Sequence, residues 1–246
     1  MLKLNCDLGE GFGHWHVADE AAIMPHIDLA NVACGFHAGD PLTITHTLQQ
    51  AQKHGVVIGA HPGYPDRLGF GRRTLAMGAQ ELRSTVVYQI GALEALAHAE
   101  GMQLEYVKPH GALYNDMMQH EDVFEAIAIA VSMCAHPRTL MILSTAANDQ
   151  YAAIARRHGI ELLYEFFADR AYTDAGMLVP RSEPNALIHD ADRVLARIEH
   201  LVTHGSVTTV EGATLPLEAD TICVHGDNPE ALILAQTIRA RLDALQ

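Results

Sequence analysis

Short apolar runs alternate with longer segments of helical period along nearly the whole chain of 246 residues. Runs of about four to eight residues, bounded by turn-forming residues, are typical of buried strands. The pattern therefore predicts seven strands, at residues 2–6, 29–34, 56–60, 104–107, 139–143, 160–165 and 221–224.

The segments between these strands place apolar residues three and four positions apart, as in helices that pack one face on a sheet. In the last such segment, Leu234, Ile238 and Leu242 fall on one face. Helices are predicted at residues 41–54, 79–100, 123–135, 148–158, 186–204 and 229–245.

Strands that alternate with helices predict a parallel α/β sheet with right-handed crossovers, either closed into a barrel or doubly wound. Residues 206–217 interrupt the alternation and predict a β-hairpin that turns near Glu211 and Gly212. No linker-like composition shift divides the chain, so residues 1–246 are predicted to form one domain.

Two strand-to-helix junctions resemble each other, CGFHAGDP at residues 34–41 and CVHGDNP at residues 223–229. In each, Cys ends the strand, His follows within three residues, and Pro stands where a helix begins. Asp40 and Asn228 are predicted to cap these helices, because their side chains can accept hydrogen bonds from the first free amides.

Six of the seven predicted strands lead into titratable side chains. The carboxyl ends of parallel strands meet on one face of the sheet, where ligands bind. Such groups are costly to bury without a function, so their convergence favours an active site over a set of capping residues. In strand order, these groups are Asp7 and Glu10, then His37, His61, Lys108 and His110, then Glu165, Asp169 and Arg170, and finally His225 and Asp227.

Lys108 is one of only three lysines, and it ends a predicted buried strand. A general acid, an anion clamp or a Schiff-base nucleophile would each fit this position, aided by a depressed pKa. The structural alternative is a salt bridge to Asp7 or Glu165.

The glycine-rich segments do not fit a common nucleotide-binding motif. Gly9, Gly11 and Gly13 lack the G-x-G-x-x-G spacing, and the absence of any Gly-Lys pair excludes a P-loop. Any use of ATP must therefore be organised differently or by another chain. Arg72 and Arg73, in the stretch GFGRR, suit a carboxylate or phosphate, the alternative being surface ion pairs.

A divalent metal is a further hypothesis. Asp7, His37 and His61, at the ends of three strands, would give a facial ligand set with an open position for water. The four cysteines are expected to be small buried apolar residues rather than ligands.

The formal charge of −14 disfavours binding to nucleic acid or to an anionic membrane. No uninterrupted apolar run approaches the ~20 residues that a membrane-spanning helix requires. The four scattered cysteines include no C-x-x-C pair and fit a reducing compartment, so a soluble cytoplasmic protein is expected.

Six longer motifs, in this order, span nearly the whole chain: LNCDLGEGFG, ANVACGFHAGDP, IGAHPGYPDRLGFGRR, YVKPHGALYN, EFFADRAY and CVHGD. Together they resemble the LamB/YcsF family, which is also known as the family of the A subunit of 5-oxoprolinase. The resemblance implies a distorted (β/α) barrel with about seven parallel strands, similar to glycoside hydrolases and polysaccharide deacetylases.

The resemblance also implies an activity, the opening of 5-oxoproline to L-glutamate with ATP as co-substrate. It further implies a complex with two partner subunits, B and C. One hypothesis is that these partners activate the lactam by phosphorylation and that this barrel opens the activated ring.

Opening a γ-lactam requires a base for water, stabilisation of an oxyanion and a proton for the leaving nitrogen. Position and acid–base character favour Asp7 or His61 as base, Lys108 and His110 as oxyanion stabiliser and acid, and Arg72 or Arg170 for the substrate carboxylate. Glu10, Asn31, Asp169 and His225 are also predicted to contact the substrate. Two alternatives remain, a stand-alone metal-dependent amidohydrolase or deacetylase and a non-catalytic scaffold subunit.

Overall fold

Seven parallel strands close into a barrel in the computed structural model. The structure describes residues 2–17, 19–180, 183–188, 190–224 and 231–244. The strands are β1 (Lys3–Leu8), β2 (Leu29–Ala33), β3 (Val57–His61), β4 (Leu104–Val107), β5 (Thr139–Leu143), β6 (Glu161–Phe167), the short pair β7 (Ser206–Thr208) and β8 (Thr214–Pro216), and β9 (Thr221–Val224). Around the barrel they follow the order β1-β2-β3-β4-β5-β6-β9.

Helices follow most barrel strands and cover the outside of the barrel. Short 3₁₀ turns lie at Met24–His26 and Arg67–Gly69. The helices are α1 (Glu20–Ile23), α2 (Pro41–His54), α3 (Ala79–Ala99), α4 (Gly111–Gln119), α5 (Glu121–Met133), α6 (Asn148–Arg157), α7 (Ala191–His204) and α8 (Ala231–Ala244).

The barrel closes because β9 pairs on both of its edges. It pairs with β1 in the register Lys3↔Thr221 and with β6 in the register Glu165↔Thr221. Of the two topologies that the alternation of strands and helices leaves open, the closed barrel is therefore the one that forms, and it confirms the seven-stranded barrel that the family resemblance implied. β7 and β8 pair antiparallel outside the barrel, where the sequence predicts a hairpin.

The lower part of the barrel interior is filled by apolar side chains. Leu29, Tyr106 and Met141 form a buried cluster there, separate from the larger core between strands and helices. Gly59 is required beside the Tyr106 ring, since a Cβ at residue 59 would lie 2.3 Å from the ring. Above this apolar plug the interior becomes polar, so the side chains toward the carboxyl ends of the strands remain available for chemistry.

The helices predicted at residues 41–54, 79–100, 123–135 and 148–158 agree with the structure to within two residues at each end, whereas α1 and α4 had no predicted range. Asp40 caps α2 as predicted, with its carboxylate accepting from the amides of Leu42 and Thr43. The predicted start of a helix at residue 186 was wrong, because Asp190 caps α7 and the helix begins at Ala191. The second junction, at residues 225–230, lies outside the described residues.

Across the ranges that the structure describes, no helix is both long enough and apolar enough to span a membrane.

Candidate active site at the carboxyl ends of the barrel strands

Lys108, directly after β4, is the centre of a buried ion-pair network. Its Nζ lies 3.0 Å from Asp7 Oδ1 and 2.7 Å from Glu165 Oε1. The Tyr114 hydroxyl donates to the other oxygen of Glu165 at 2.9 Å. Lys108 is only 2% exposed, so its ammonium group has almost no contact with water. The two carboxylates of Asp7 and Glu165 balance its charge instead.

This geometry confirms the salt bridges that stood as the structural alternative for Lys108, and it corrects the expected direction of its pKa. Burial alone would lower the pKa of Lys108, but attraction to the carboxylates of Asp7 and Glu165 raises it well above its usual range. Lys108 is therefore a permanent cation at neutral pH. That charge state disfavours a Schiff-base nucleophile and leaves an electrostatic role.

A layer of amide and hydroxyl groups holds Asp7 from below. Asn31 donates to Asp7 Oδ1 at 2.7 Å and to Asn5 Oδ1 at 2.8 Å, and its own oxygen accepts from the Tyr106 hydroxyl at 2.7 Å. Asn31 is fully buried in this layer. The structure thus places Asn31 beneath Asp7 rather than on the wall of the cavity, although the sequence suggested contact with substrate.

Glu10, His37, His61 and His110 form a second buried cluster beside this network, and their ligand atoms all lie within 4.8 Å of one another. Glu10 Oε1 is 3.0 Å from His37 Nε2 and 3.1 Å from His110 Nδ1. His110 Nδ1 is in turn 3.0 Å from His61 Nε2. Imidazole and carboxylate groups are the ligands that many divalent metals prefer, so the cluster has the chemistry of a metal site.

The cluster differs from the predicted metal set in its carboxylate. Glu10 rather than Asp7 lies among the histidines, since Asp7 Oδ2 is 3.6 Å from His61 Nε2 and its other oxygen pairs with Lys108. Glu10 was expected to contact the substrate, because the local sequence does not show which way a loop residue two positions beyond β1 points.

Electrostatics fix the charge of two members of the cluster. Burial alone would raise the pKa of Glu10, but its close contacts with the His110 and His37 imidazoles lower it well below its usual range, so Glu10 is an anion. Burial lowers the pKa of His37 to about 3, so its ring is neutral. Burial also opposes the charged form of His61, yet attraction to Asp7 raises the pKa of that ring above its usual value.

The β3–α3 loop closes over the histidines, and Gly71 makes the close approach possible. Gly71 has φ +63, and a Cβ there would lie 2.7 Å from His37 Cβ and 2.8 Å from His110 Cδ2. The preceding residue, Phe70, is also left-handed with φ 53, and its carbonyl accepts a hydrogen bond from His110 Nε2 at 2.8 Å. Backbone strain in this loop therefore holds one histidine in place.

Replacing Gly71 by Ala is expected to lower the free energy of unfolding by about 1–3 kcal/mol, because the new Cβ meets the side chains of His37 and His110 in a left-handed conformation. Gly91 provides the matched control, since it lies in α3 with no atom within 4 Å of the position that a new methyl group would take. Gly91→Ala is expected to raise the free energy of unfolding by about 0.5–1 kcal/mol. Urea denaturation of both variants tests this, and equal effects would contradict it.

A cavity of about 440 Å³ opens over both groups of polar side chains. Its walls bring together most of the predicted site residues, namely Asp7, Glu10, His61, Arg72, Lys108, His110 and Arg170. His37 lies behind the wall, Asp169 is not among the lining residues, and His225 lies outside the described residues.

The cavity also contains residues that the sequence analysis missed. Tyr114 and Asn115 enter from α4, and Phe167 and Leu178 contribute apolar surface. Tyr114 belongs to the stretch YVKPHGALYN, so the motif itself was the available signal. The two arginines of GFGRR separate, because Arg72 lines the cavity while Arg73 Nε pairs with Asp66 at 2.8 Å.

The fold and the cavity together define a class of protein, a parallel (β/α) barrel with a polar cavity at the carboxyl ends of its strands. Within that class the chain belongs to the LamB/YcsF family, whose sequence profile matches residues 2–246.

Similar proteins carry more specific names. The chain is 50% identical over 242 residues to a protein from Vibrio cholerae serotype O1 that is named as the A subunit of 5-oxoprolinase, covering 98% of both chains. It is 46% identical over 244 residues to a Pseudomonas aeruginosa protein named as A subunit 3 of 5-oxoprolinase, covering 99% of this chain and 97% of the other. The crystal structure of the lactam utilization protein from Thermus thermophilus superimposes with a TM-score of 0.92 at 38% identity, covering 99% of this chain and 96% of that one.

Proposed function

We propose that this chain is the ring-opening subunit of a cytoplasmic ATP-dependent 5-oxoprolinase, which converts 5-oxo-L-proline to L-glutamate as ATP becomes ADP and phosphate. Support comes from relatives at 50% and 46% identity that are named as A subunits of 5-oxoprolinase. The single structural observation that carries it is the juxtaposition of Asp7 and Lys108 with two arginines around one small cavity. Opening a cyclic amino-acid amide requires a base, a cation beside the amide oxygen and a group that binds the substrate carboxylate. Asp7, Lys108 and the arginines can fill these three roles in that order.

The substrate carboxylate is assigned to the side of the cavity that carries Arg72 and Arg170. A guanidinium binds a carboxylate through two parallel hydrogen bonds, which fixes orientation as well as charge. Arg170 is 7% exposed, and its Nη2 donates to the Val179 carbonyl at 2.7 Å, so its direction is set by the protein. The apolar edge of the lactam ring would face Phe167 and Leu178.

The reactive amide is then assigned to the side with Asp7 and Lys108. Asp7 takes a proton from water as the water oxygen bonds to the lactam carbon, and the Lys108 ammonium stabilises the negative charge that develops on oxygen. The carbon–nitrogen bond breaks, and the leaving nitrogen takes the proton that Asp7 removed from water. The proposal assigns no acid role to His110, whose Nε2 donates to the Phe70 carbonyl while its Nδ1 faces Glu10.

ATP is assigned to subunits B and C of the complex, because the chain has no Gly-Lys pair and hence no P-loop. Phosphorylation of the lactam oxygen by a partner would turn that oxygen into part of a leaving phosphate. This chain would then add one water to the activated carbon and break the carbon–nitrogen bond, which opens the ring to an acyl phosphate. A second water would release the phosphate and leave L-glutamate.

Reconstitution tests this function. Release of L-glutamate from 5-oxoproline is measured with this chain alone, with subunits B and C alone, and with all three, each with and without ATP. Turnover is expected only when the three chains and ATP are present together. ATP-independent hydrolysis by this chain alone would instead identify a stand-alone amidohydrolase, and full turnover by B and C without it would exclude a catalytic role.

A further inference from the structure

We propose that Glu10, His61 and His110 bind one divalent transition-metal ion, with the open side of the ion toward the cavity. This goes beyond the proposed function, because ring opening through a phosphorylated lactam requires no metal at this position. The three residues all line the cavity, whereas the fourth member of the cluster, His37, lies behind them and is fully buried.

Backbone carbonyls fix which nitrogen of each ligand ring carries the hydrogen. His61 Nδ1 is 2.7 Å from the Lys108 carbonyl, and His110 Nε2 is 2.8 Å from the Phe70 carbonyl. A carbonyl oxygen only accepts, so both of these nitrogens must donate. In neutral rings the opposite nitrogens, His61 Nε2 and His110 Nδ1, therefore present lone pairs.

These lone pairs face one another and a carboxylate. His61 Nε2 is 3.0 Å from His110 Nδ1, and Glu10 Oε1 is 3.1 Å from His110 Nδ1 and 3.9 Å from His61 Nε2. Three electron-pair donors so close together repel unless a cation lies between them. A metal ion supplies that cation, and the competing explanation is one extra proton shared by the two imidazoles.

The donor separations fit an ion. Ligand atoms at about 2.0–2.1 Å from a tetrahedral zinc ion lie about 3.3–3.4 Å apart. The three observed separations of 3.0, 3.1 and 3.9 Å lie on both sides of that value. Two histidines and one glutamate with an open fourth position form a ligand set used by catalytic zinc sites, and imidazole also suits iron, nickel and cobalt.

The surroundings have the form of a second coordination shell. Metal-bound histidines commonly donate their other N–H to a backbone carbonyl, as His61 and His110 do. His37 Nε2 lies 3.0 Å from Glu10 Oε1, and its ring stacks on His110 with centroids 3.7 Å apart and planes 4° apart. Parallel stacked rings direct their lone pairs side by side rather than to one point, so His37 is assigned as a hydrogen-bond donor to Glu10.

Asp7 is excluded as a ligand by charge. Its Oδ1 lies 3.0 Å from the Lys108 ammonium, which would repel an adjacent dication. Asp7 Oδ2 nevertheless lies 3.6 Å from His61 Nε2, close enough for Asp7 to act on a water held beside the ligands. When bound, the ion would supply a Lewis acid that polarises the substrate carbonyl or acidifies that water.

Metal content tests the assignment without any substrate. The full chain is purified, stripped with chelator and titrated with Zn²⁺ by calorimetry and with Co²⁺ by visible absorption. The wild type is expected to bind about one ion per chain, and Glu10→Gln and His110→Gln about none at the same concentration. His37→Gln is expected to keep the Co²⁺ bands but to bind the ion about 10–100-fold more weakly, because His37 holds the ligand Glu10 rather than the ion itself.

His158→Gln is the matched control, because His158 pairs with Glu125 on the outside of the barrel, and it is expected to bind like the wild type. Circular dichroism of each stripped variant verifies that the chain is folded. A folded wild type that binds neither ion would overturn the metal site in favour of a shared proton. A His37→Gln variant as depleted as His110→Gln would overturn the three-ligand assignment. Neither result depends on whether the complex opens 5-oxoproline.

Discussion

Replacing Lys108 by Met is expected to abolish ring opening by the reconstituted complex and to lower the free energy of unfolding by about 3–5 kcal/mol. The large effect on stability follows from charge. Lys108 lies 3.0 Å from Asp7 and 2.7 Å from Glu165, so its removal leaves two carboxylates facing each other in a buried space. Chemical denaturation and glutamate release measure the two effects separately.

A second substitution separates stability from catalysis. Adding Glu165→Gln to Lys108→Met removes one of the two uncompensated charges and keeps an acceptor for Tyr114, so most of the lost stability should return. Turnover should not return, because the cation beside the reactive amide is still missing. Lys53→Met, at the end of α2, is the control and should change neither quantity appreciably. Normal turnover by Lys108→Met would instead favour a docking subunit.

The fold was predictable where each element carries its own pattern. The strands at residues 104–107, 139–143 and 221–224 agree with the structure to the residue. Closure of the barrel was implied by the family resemblance but not by the local pattern, because it depends on β9 pairing with β6 and β1 at once. No local periodicity encodes that long-range register.

Helix ends were harder to predict where the apolar pattern and a capping side chain favour different first residues. The apolar period extends back to residue 186, yet the helix begins after Asp190, whose carboxylate accepts from the amides of Asp192 and Arg193. A side-chain cap thus outweighs the apolar pattern. The helix α4 was not assigned a range, because its nine residues offer too short a window for a clear period.

The sequence predicted which side chains meet at the site, but not which of them form ion pairs with one another. Parallel strands with titratable residues at their ends require Asp7, His61 and Lys108 to meet. Whether Lys108 is a neutral nucleophile or a permanent cation depends on Asp7 and Glu165 reaching it from two other strands. Likewise, the position of Glu10 among the histidines depends on the path of a loop that local pattern does not specify.

The two polar clusters explain why burial of so many charges is tolerated. Lys108 balances two carboxylates, and Glu10 lies within hydrogen-bonding distance of two imidazoles, so each buried carboxylate has a cation or a polar ring beside it. Asp7 belongs to both, since one oxygen contacts Lys108 and the other lies 3.6 Å from His61. A carboxylate in that position can pass a proton between water and its neighbours, which makes Asp7 the critical test of the assigned base.

Replacing Asp7 by Asn is expected to reduce turnover by about 10²–10⁴-fold, the usual contribution of a positioned general base. The barrel should stay folded, because an amide oxygen can still accept from Asn31 and Lys108, and Lys108 keeps Glu165 as a partner. The loss should fall on kcat rather than on KM, since the substrate carboxylate is assigned to the arginines. Steady-state kinetics of the reconstituted complex measure both constants.

Asp243→Asn, an exposed change in α8, is the matched control and should leave both constants unchanged. His61 is the other base considered, and its Nδ1 is held by the Lys108 carbonyl at 2.7 Å while its Nε2 lies 3.0 Å from His110 Nδ1. Full activity in Asp7→Asn would therefore move the base to His61 and contradict a site built on the Asp7–Lys108 pair. A loss of kcat with normal stability and metal content would instead locate the abstraction of the water proton at Asp7.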